Sequence, residues 1–211
     1  MKLPLEESCQ NFALPPMKAF TKRGFDILVA LALLPAILPA SIILVLMARF
    51  STGETGLFCQ ERIGLYGQPF TIYKIRSMRT STLVTTNVTT GDDPRITNFG
   101  KFIRRAKMDE FPQLYNVLKG EMSFVGPRPD VEEVYQYLQQ DDAKILCVRP
   151  GITGPASVLF KNEESLLKAT DDAEKYNQEV VFPAKVETNL DYIENQSLMG
   201  DIRIMLKTVF G

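Results

Sequence analysis

Residues 25–48, FDILVALALLPAILPASIILVLMA, carry one charged side chain, Asp26, and constrain the chain more than any other stretch. As a straight helix the run would measure roughly 36 Å, enough to cross a bilayer. Three placements compete: a spanning helix, a signal peptide, and a helix that enters and returns on one face. A signal peptide fits badly, because the apolar run continues past Pro39-Ala40-Ser41 without a small-x-small cleavage site. Against spanning stand Pro35 and Pro39, each of which removes a backbone donor and bends a helix axis. Each half then reaches only roughly 15 Å. Prolines do occur in spanning helices, so that placement stays open.

The flanking charges favour re-entry. Lys18, Lys22 and Arg23 precede the run; Arg49 follows it, with Arg62, Lys74, Arg76 and Arg79 beyond. Basic residues on both sides suit two ends on the cytoplasmic face.

A length of 211 residues allows one moderate domain or a small domain with an accessory segment. With 24 basic and 25 acidic residues, no global field marks a nucleic-acid binder. Histidine is absent, which removes imidazole acid–base schemes and histidine metal sites. Cys9, Cys59 and Cys147 are far apart and form no CxxC pair, so reduced thiols are expected rather than a zinc site or disulfide framework.

Residues 1–17 form a short tail without a usable pattern. LFCQERIG and PFTIYKIRSM read as two strands around the Gly64–Gly67 turn. The Thr-rich residues 80–93 read as a mobile loop, and a helix is predicted over 98–106. Met108–Lys119 reads as a helix with Phe111, Leu114, Tyr115 and Leu118 on one face and Gly120 at its end. GPRP (126–129) and RPGITGP (149–155) read as rigid turns, and 163–178 as helical. The segment 201–210 reads as a basic amphipathic helix with Ile202, Met205, Leu206 and Val209 on one stripe, suited equally to a membrane surface or to the core.

The adjacent acids Asp109 and Glu110 open the predicted helix at 108. A helix start stabilises an ionised carboxylate, so Asp109 could attack phosphorus while Glu110 ligates Mg²⁺ or tunes its neighbour. The plainer alternative is that both merely cap the helix. Arg104, Arg105, Arg128 and Arg149 lie close by in sequence, and guanidinium groups match phosphate oxygens bidentately. Four arginines near two acids and several Gly/Pro turns point to phosphate chemistry, in which a divalent cation spreads charge. No P-loop or dinucleotide-binding fingerprint is present.

The strings KRGFDILVALALLPAILP, FCQERIGLYGQPFTIYKIRSM, DDPRITNFGKFIRR, DEFPQLYNVLKGEMSFVGPRP and VRPGITG resemble the bacterial sugar transferases, the small monotopic phosphoglycosyl transferases. The match runs almost continuously from Lys22 to Gly154 and returns in LDYIENQSLMGDIRIMLKT. The resemblance implies a mostly helical α+β fold. A re-entrant membrane helix over 18–50, broken at Pro39, would precede a catalytic domain over 51–211 with a short β-hairpin and amphipathic interfacial helices, at the cytoplasmic face of a bacterial inner membrane. It assigns catalysis and metal binding to Asp109 and Glu110, and phosphate binding to Arg104. The substrate loops fall on Arg128, Pro129, Arg149, Gly151 and Thr153. The implied reaction moves a sugar-1-phosphate from a UDP-sugar to polyprenyl phosphate with Mg²⁺; a catalytically silent membrane scaffold of the same fold is the alternative. The implied partners are the nucleotide sugar, the lipid acceptor and the phospholipid bilayer, with no nucleic acid and a homodimer left open. The chain departs from the family at Leu38, where serine is common, at Lys107, where serine or threonine is usual, and in PASVLFKNEES after Gly154.

Overall fold

A computed structural model describes residues 9, 15–80, 93–135, 142–161, 166, 170 and 172–211. The sequence readings for most of residues 1–17, 80–93 and 163–172 fall outside these.

The apolar run forms the middle of one helix, α1 (Pro16–Thr52). Pro16 stands in its first turn, where a missing N–H costs nothing. Gly53 ends it in the left-handed conformation (φ 76°), its N–H bonded to the Arg49 carbonyl. Leu28, Leu38, Ile42, Ile43 and Leu46 are exposed, so apolar residues surround the helix on faces that no described element covers. By length and composition α1 is able to cross a membrane. Helical backbone continues through Pro35 and Pro39. The interruption expected at Pro39 therefore takes the form of withdrawn ladder donors, not of non-helical residues. The Ser41 hydroxyl donates to the Ile37 carbonyl at 2.7 Å, just past Pro39.

The two predicted strands form an antiparallel hairpin, β1 (Leu57–Ile63) and β2 (Pro69–Ile75), in register from Leu57↔Ile75 to Ile63↔Pro69. Next comes α2 (Asn98–Arg105), capped by the Thr97 hydroxyl, which accepts from the Gly100 N–H at 2.9 Å. The helix expected over 108–119 divides into a 3₁₀ turn at Met108–Glu110 and α3 (Gln113–Lys119). The late start rotates the buried face onto Gln113, Leu114, Asn116 and Val117, and leaves Tyr115 exposed where an inward position was predicted. Gly120 closes α3 at φ 92°.

Just before the turn predicted at 126–129 and inside the one predicted at 149–155, the chain builds a short parallel pair, β3 (Ser123–Val125) with β4 (Gly151–Thr153). Between and after them come α4 (Glu132–Tyr135), a 3₁₀ turn at Asp142–Cys147, α5 (Pro155–Leu159) and α6 (Ala173–Tyr176). A π-helical turn at Asn177–Val181 leads into α7 (Phe182–Glu194), a helix that the sequence reading left unassigned. The last helix, α8 (Leu198–Phe210), begins earlier than predicted, with Ser197 as its cap. Its apolar residues divide: Ile204 and Met205 pack on the core, while Leu206, Val209 and Phe210 face outward.

The larger core gathers Phe70, Ile72, Leu114, Val117, Met122 and Val125 with α7 residues, and receives Ala30 of α1. A smaller core joins Leu44 and Ala48 of α1 to Ile75 and Ile103. Both halves of the long helix thus dock on the same small body. Cys9 and Cys147, expected as free thiols, are joined in a disulfide with Cα atoms 5.1 Å apart. Both are buried, and the fold closes a separation of 138 residues that spacing alone does not reveal. Cys59 is the free, exposed thiol.

Candidate active site

The acid pair sits at a forced bend in the chain. Lys107, between α2 and the 3₁₀ turn, adopts φ 53° and ψ 21°, a left-handed conformation that non-glycine residues seldom take. Its N–H bonds to the Arg104 carbonyl at 3.0 Å, closing the end of α2 just before Asp109 and Glu110. The pair therefore stands on a short turn between two helices, and not in the first turn of a long one.

Glu110 is the hub. One of its oxygens, Oε1, accepts from Arg128, and Lys74 Nζ lies 3.6 Å from the same atom. Burial alone would raise the Glu110 pKa, but Arg128 and Lys74 outweigh it and hold the group at about 2. Asp109 accepts no hydrogen bond from a described side chain. Burial, then the neighbouring Glu110 charge, lifts it to about 6, against the pull of Lys74, Arg104 and Arg128. Lys74 is lowered to about 8, first by burial and then by Arg128. Three cations facing two acids leave the cluster net positive, a field that favours anions.

Lys74 was not singled out from the sequence as a site residue. A signal was present: Phe70 and Ile72 of β2 point inward, and Lys74 continues that alternation. A lysine at an inward strand position needs a partner, and Glu110 supplies it.

Arg104, in the last turn of α2, lies within electrostatic reach of Asp109, and its Nη1 approaches Met78 Sδ at 3.6 Å. Arg128 reaches Glu110 and also the Ile152 carbonyl at 3.4 Å. Pro129 is buried behind it. Gly126 and Gly151 bring GPRP and PGITG into backbone contact: the Gly126 N–H bonds to the Thr153 carbonyl at 3.0 Å and the Gly151 N–H to the Pro127 carbonyl at 2.9 Å. A Cβ on Gly126 would run into the Arg149 carbonyl, and one on Gly151 into the Gly126 amide.

Two expected substrate residues are otherwise engaged. Arg149 Nε donates to the Gly120 carbonyl at 2.9 Å, at the far end of α3 from the acids. The Thr153 hydroxyl, buried, pairs with the Thr208 hydroxyl at 2.6 Å, tying PGITG to α8. Arg105 is exposed on α2.

The donor set also bears on a divalent cation. Among the described residues no cluster of three or more His, Cys, Asp or Glu exists. Asp109 and the second oxygen of Glu110 are nonetheless hard ligands, and Mg²⁺ commonly takes one or two carboxylates, with substrate phosphates and water completing its shell. The pair fits that role.

Fold and site together define a class: an acid pair amid cations on a small domain docked to both halves of a long apolar helix. The chain belongs to the bacterial sugar transferase family, whose model matches residues 17–211. A UDP-N-acetylgalactosamine-undecaprenyl-phosphate N-acetylgalactosaminephosphotransferase of Aeromonas hydrophila is 35% identical, over 97% of this chain and 47% of its own length. A UDP-glucose:undecaprenyl-phosphate glucose-1-phosphate transferase of Escherichia coli (strain K12) is 39% identical, over 90% of this chain and 39% of its own. The exopolysaccharide production protein ExoY of Sinorhizobium fredii (strain NBRC 101917 / NGR234) is 30% identical, over 93% of this chain and 87% of its own. The chain thus spans less than half of the first two relatives and most of the third.

Proposed function

We propose that the protein is a phosphoglycosyl transferase that moves a sugar-1-phosphate from a UDP-sugar to polyprenyl phosphate, as the first membrane step in assembling a surface glycan. The observation that carries this reading is the division of labour in the acid pair. Glu110 is pinned by Arg128 and Lys74, while Asp109 is left without a hydrogen-bond partner among the described side chains. With a pKa of about 6, Asp109 is mostly ionised at neutral pH and available as a nucleophile. Its carboxylate oxygen attacks the β-phosphorus, the bond to the α,β-bridging oxygen breaks, and UMP leaves. A phosphate oxygen of the lipid then attacks the same phosphorus and expels Asp109, giving a polyprenyl-diphosphate-sugar.

Arg104, Arg128 and Lys74 offset the charge of the donor diphosphate and steady the transferring group. Mg²⁺ held by Asp109 and Glu110 would supply further charge neutralisation at the diphosphate. A silent scaffold would have no need of a half-buried carboxylate that accepts no hydrogen bond from a described side chain, beside a pinned one. The activities named for the A. hydrophila and E. coli relatives support the donor and acceptor classes.

The long helix enters and returns on the cytoplasmic face. What supports this is that Arg23 bonds to the Val117 and Leu118 carbonyls near one end of α1, while Ser51 bonds to the Thr97 hydroxyl at the other. One small domain holding both ends suits a helix whose ends share a side, since a spanning helix would separate them by about 30 Å of hydrocarbon.

The test is UMP release from a panel of UDP-sugars by purified protein with undecaprenyl phosphate, alongside mass spectrometry for a phosphosugar adduct. Asp109→Ala is expected to abolish both while the protein stays folded; retention of more than a few per cent of turnover would sink the covalent scheme. EDTA is expected to stop the reaction and Mg²⁺ or Mn²⁺ to restore it, and full activity in EDTA would remove the metal from the proposal.

A further inference from the structure

A second buried polar cluster lies away from the acid pair, at the foot of α1. Lys22 Nζ donates to Asp201 Oδ2 at 2.6 Å, linking residues 179 apart, and the Asp201 side chain is 1% exposed. Asp201 Oδ1 accepts from the Tyr192 hydroxyl at 2.6 Å, and that hydroxyl accepts from Gln196 Nε2 at 2.6 Å. Tyr192 also lies 3.3 Å from the Val125 carbonyl. Four residues beyond Lys22, Asp26 is 2% exposed and accepts from the Phe124 N–H at 3.3 Å. Between them Arg23 donates to Val117 and Leu118 at 2.7 and 3.0 Å.

Three neighbouring residues of α1 therefore grip three elements: α8 through Asp201, α3 through its last carbonyls, and β3 through its backbone. Those last two are the arms of the candidate active site. Chain from the Asp109–Glu110 turn leads directly into α3, and β3 leads directly into Gly126-Pro127-Arg128. Lys22 and Arg23 face Asp26 and Asp201, and Arg149 adds a further cation beside Arg23. Apolar packing would hold such a joint about as strongly as buried charges do, but with less directional restraint. The geometry is that of a joint holding the helix at one rotation and one depth.

We propose that Lys22, Asp26, Tyr192 and Asp201 are positioning residues that fix α1 against the two arms of the site, and so set where the lipid phosphate meets Asp109. This rests on the transferase reading above. The donor half of that reaction depends on Asp109, Glu110, Arg104, Arg128 and Lys74, of which Glu110, Arg128 and Lys74 hold one another through their own ion pairs. The acceptor half depends in addition on where the lipid lies along α1. Loosening the joint therefore weakens the second half and spares the first.

The experiment separates the halves. The full chain in lipid nanodiscs is given UDP-sugar alone, and UMP released per enzyme is read as a burst; undecaprenyl phosphate is then titrated and steady-state turnover measured. Deleting one charge of a buried pair strands the other, so the paired variant Lys22→Met with Asp201→Leu removes both. Tyr192→Phe removes one hydroxyl, keeps every charge, and decides the matter if the paired variant does not accumulate. In these variants the burst is expected to stay near wild type while kcat/KM for the lipid falls about tenfold, within the range of coupling seen between contacting residues. Lys22→Arg, which keeps the charge, is expected to retain most lipid-dependent turnover. Burst and lipid turnover falling in the same proportion, or neither changing, would overturn the positioning role and leave the transferase reading standing. A wild-type protein that releases no UMP without lipid would remove the covalent reading and this role together.

Discussion

At the scale of single residues, the acid pair was legible because two adjacent acids sit just before an apolar periodicity and just after two arginines. What adjacency does not say is that the two acids differ in state. Glu110 is held at about 2 against its burial by Arg128 and Lys74, which converge on one of its oxygens, while burial and then the Glu110 charge raise Asp109 to about 6. Lys74 reaches the site from the hairpin and Arg128 from beyond α3, so no local window contains the arrangement. The sign for activity follows: a nucleophilic Asp109 must be ionised, so kcat/KM is expected to fall as pH drops through about 6. Lys74→Met removes a cation that favours the ionised form, which moves the midpoint of the pH–rate profile upward; a midpoint unchanged or lowered would exclude Lys74 from tuning Asp109. For folding the two acids act oppositely. The depressed Glu110 contributes stability present above its ordinary value and lost as pH falls towards 2, whereas the raised Asp109 opposes folding above about 6 and ceases to do so when protonated. Arg149, 21 residues beyond Arg128, donates its Nε–H to the Gly120 carbonyl.

Among elements, the hairpin, the helix at 98–105 and the C-terminal helix were readable, since alternation, a threonine cap and a 3.6-residue stripe each leave a local mark. The acid pair's own helix was placed too early, because the left-handed Lys107 and Pro112 break the ladder in ways that an apolar count does not register. The parallel strands were hidden for another reason. GPRP and PGITG are rich in glycine and proline, which usually punctuate turns, but here the glycines permit two backbones to touch. Gly126→Ala is therefore expected to cost about 1–3 kcal/mol, the usual range for forcing a methyl into a filled site. Because it sits two residues before Arg128, activity should fall further than the loss of folded protein accounts for. Thermal melts paired with UMP release check this, and a variant with wild-type melting and turnover would show that the contact tolerates a side chain.

For the whole molecule, the apolar helix was evident from composition, but its manner of docking was not. Ala30 packs in one core and Ala48 in the other, so a single body grips both halves of α1. The Cys9–Cys147 bridge likewise joins parts of the chain that only the folded topology brings together. Under the re-entrant reading, cysteines placed at Lys18 and Thr80, in a protein with the native cysteines replaced by serine, are expected to react with an impermeant thiol reagent from the same side of sealed vesicles. Labelling from opposite sides would remove re-entry while leaving the chemistry untouched. A helix fastened at both ends has a further property. Ordinary membrane helices meet a thicker or thinner bilayer by changing tilt. Under the re-entrant reading this one cannot change its tilt against its own domain without breaking contacts at Asp201 or at Ile103, so the lipid must adapt to the protein. The depth to which the helix enters becomes a fixed dimension of the molecule, and under the proposed reaction acyl-chain length in the surrounding membrane becomes a lever on the height at which Asp109 meets the lipid phosphates.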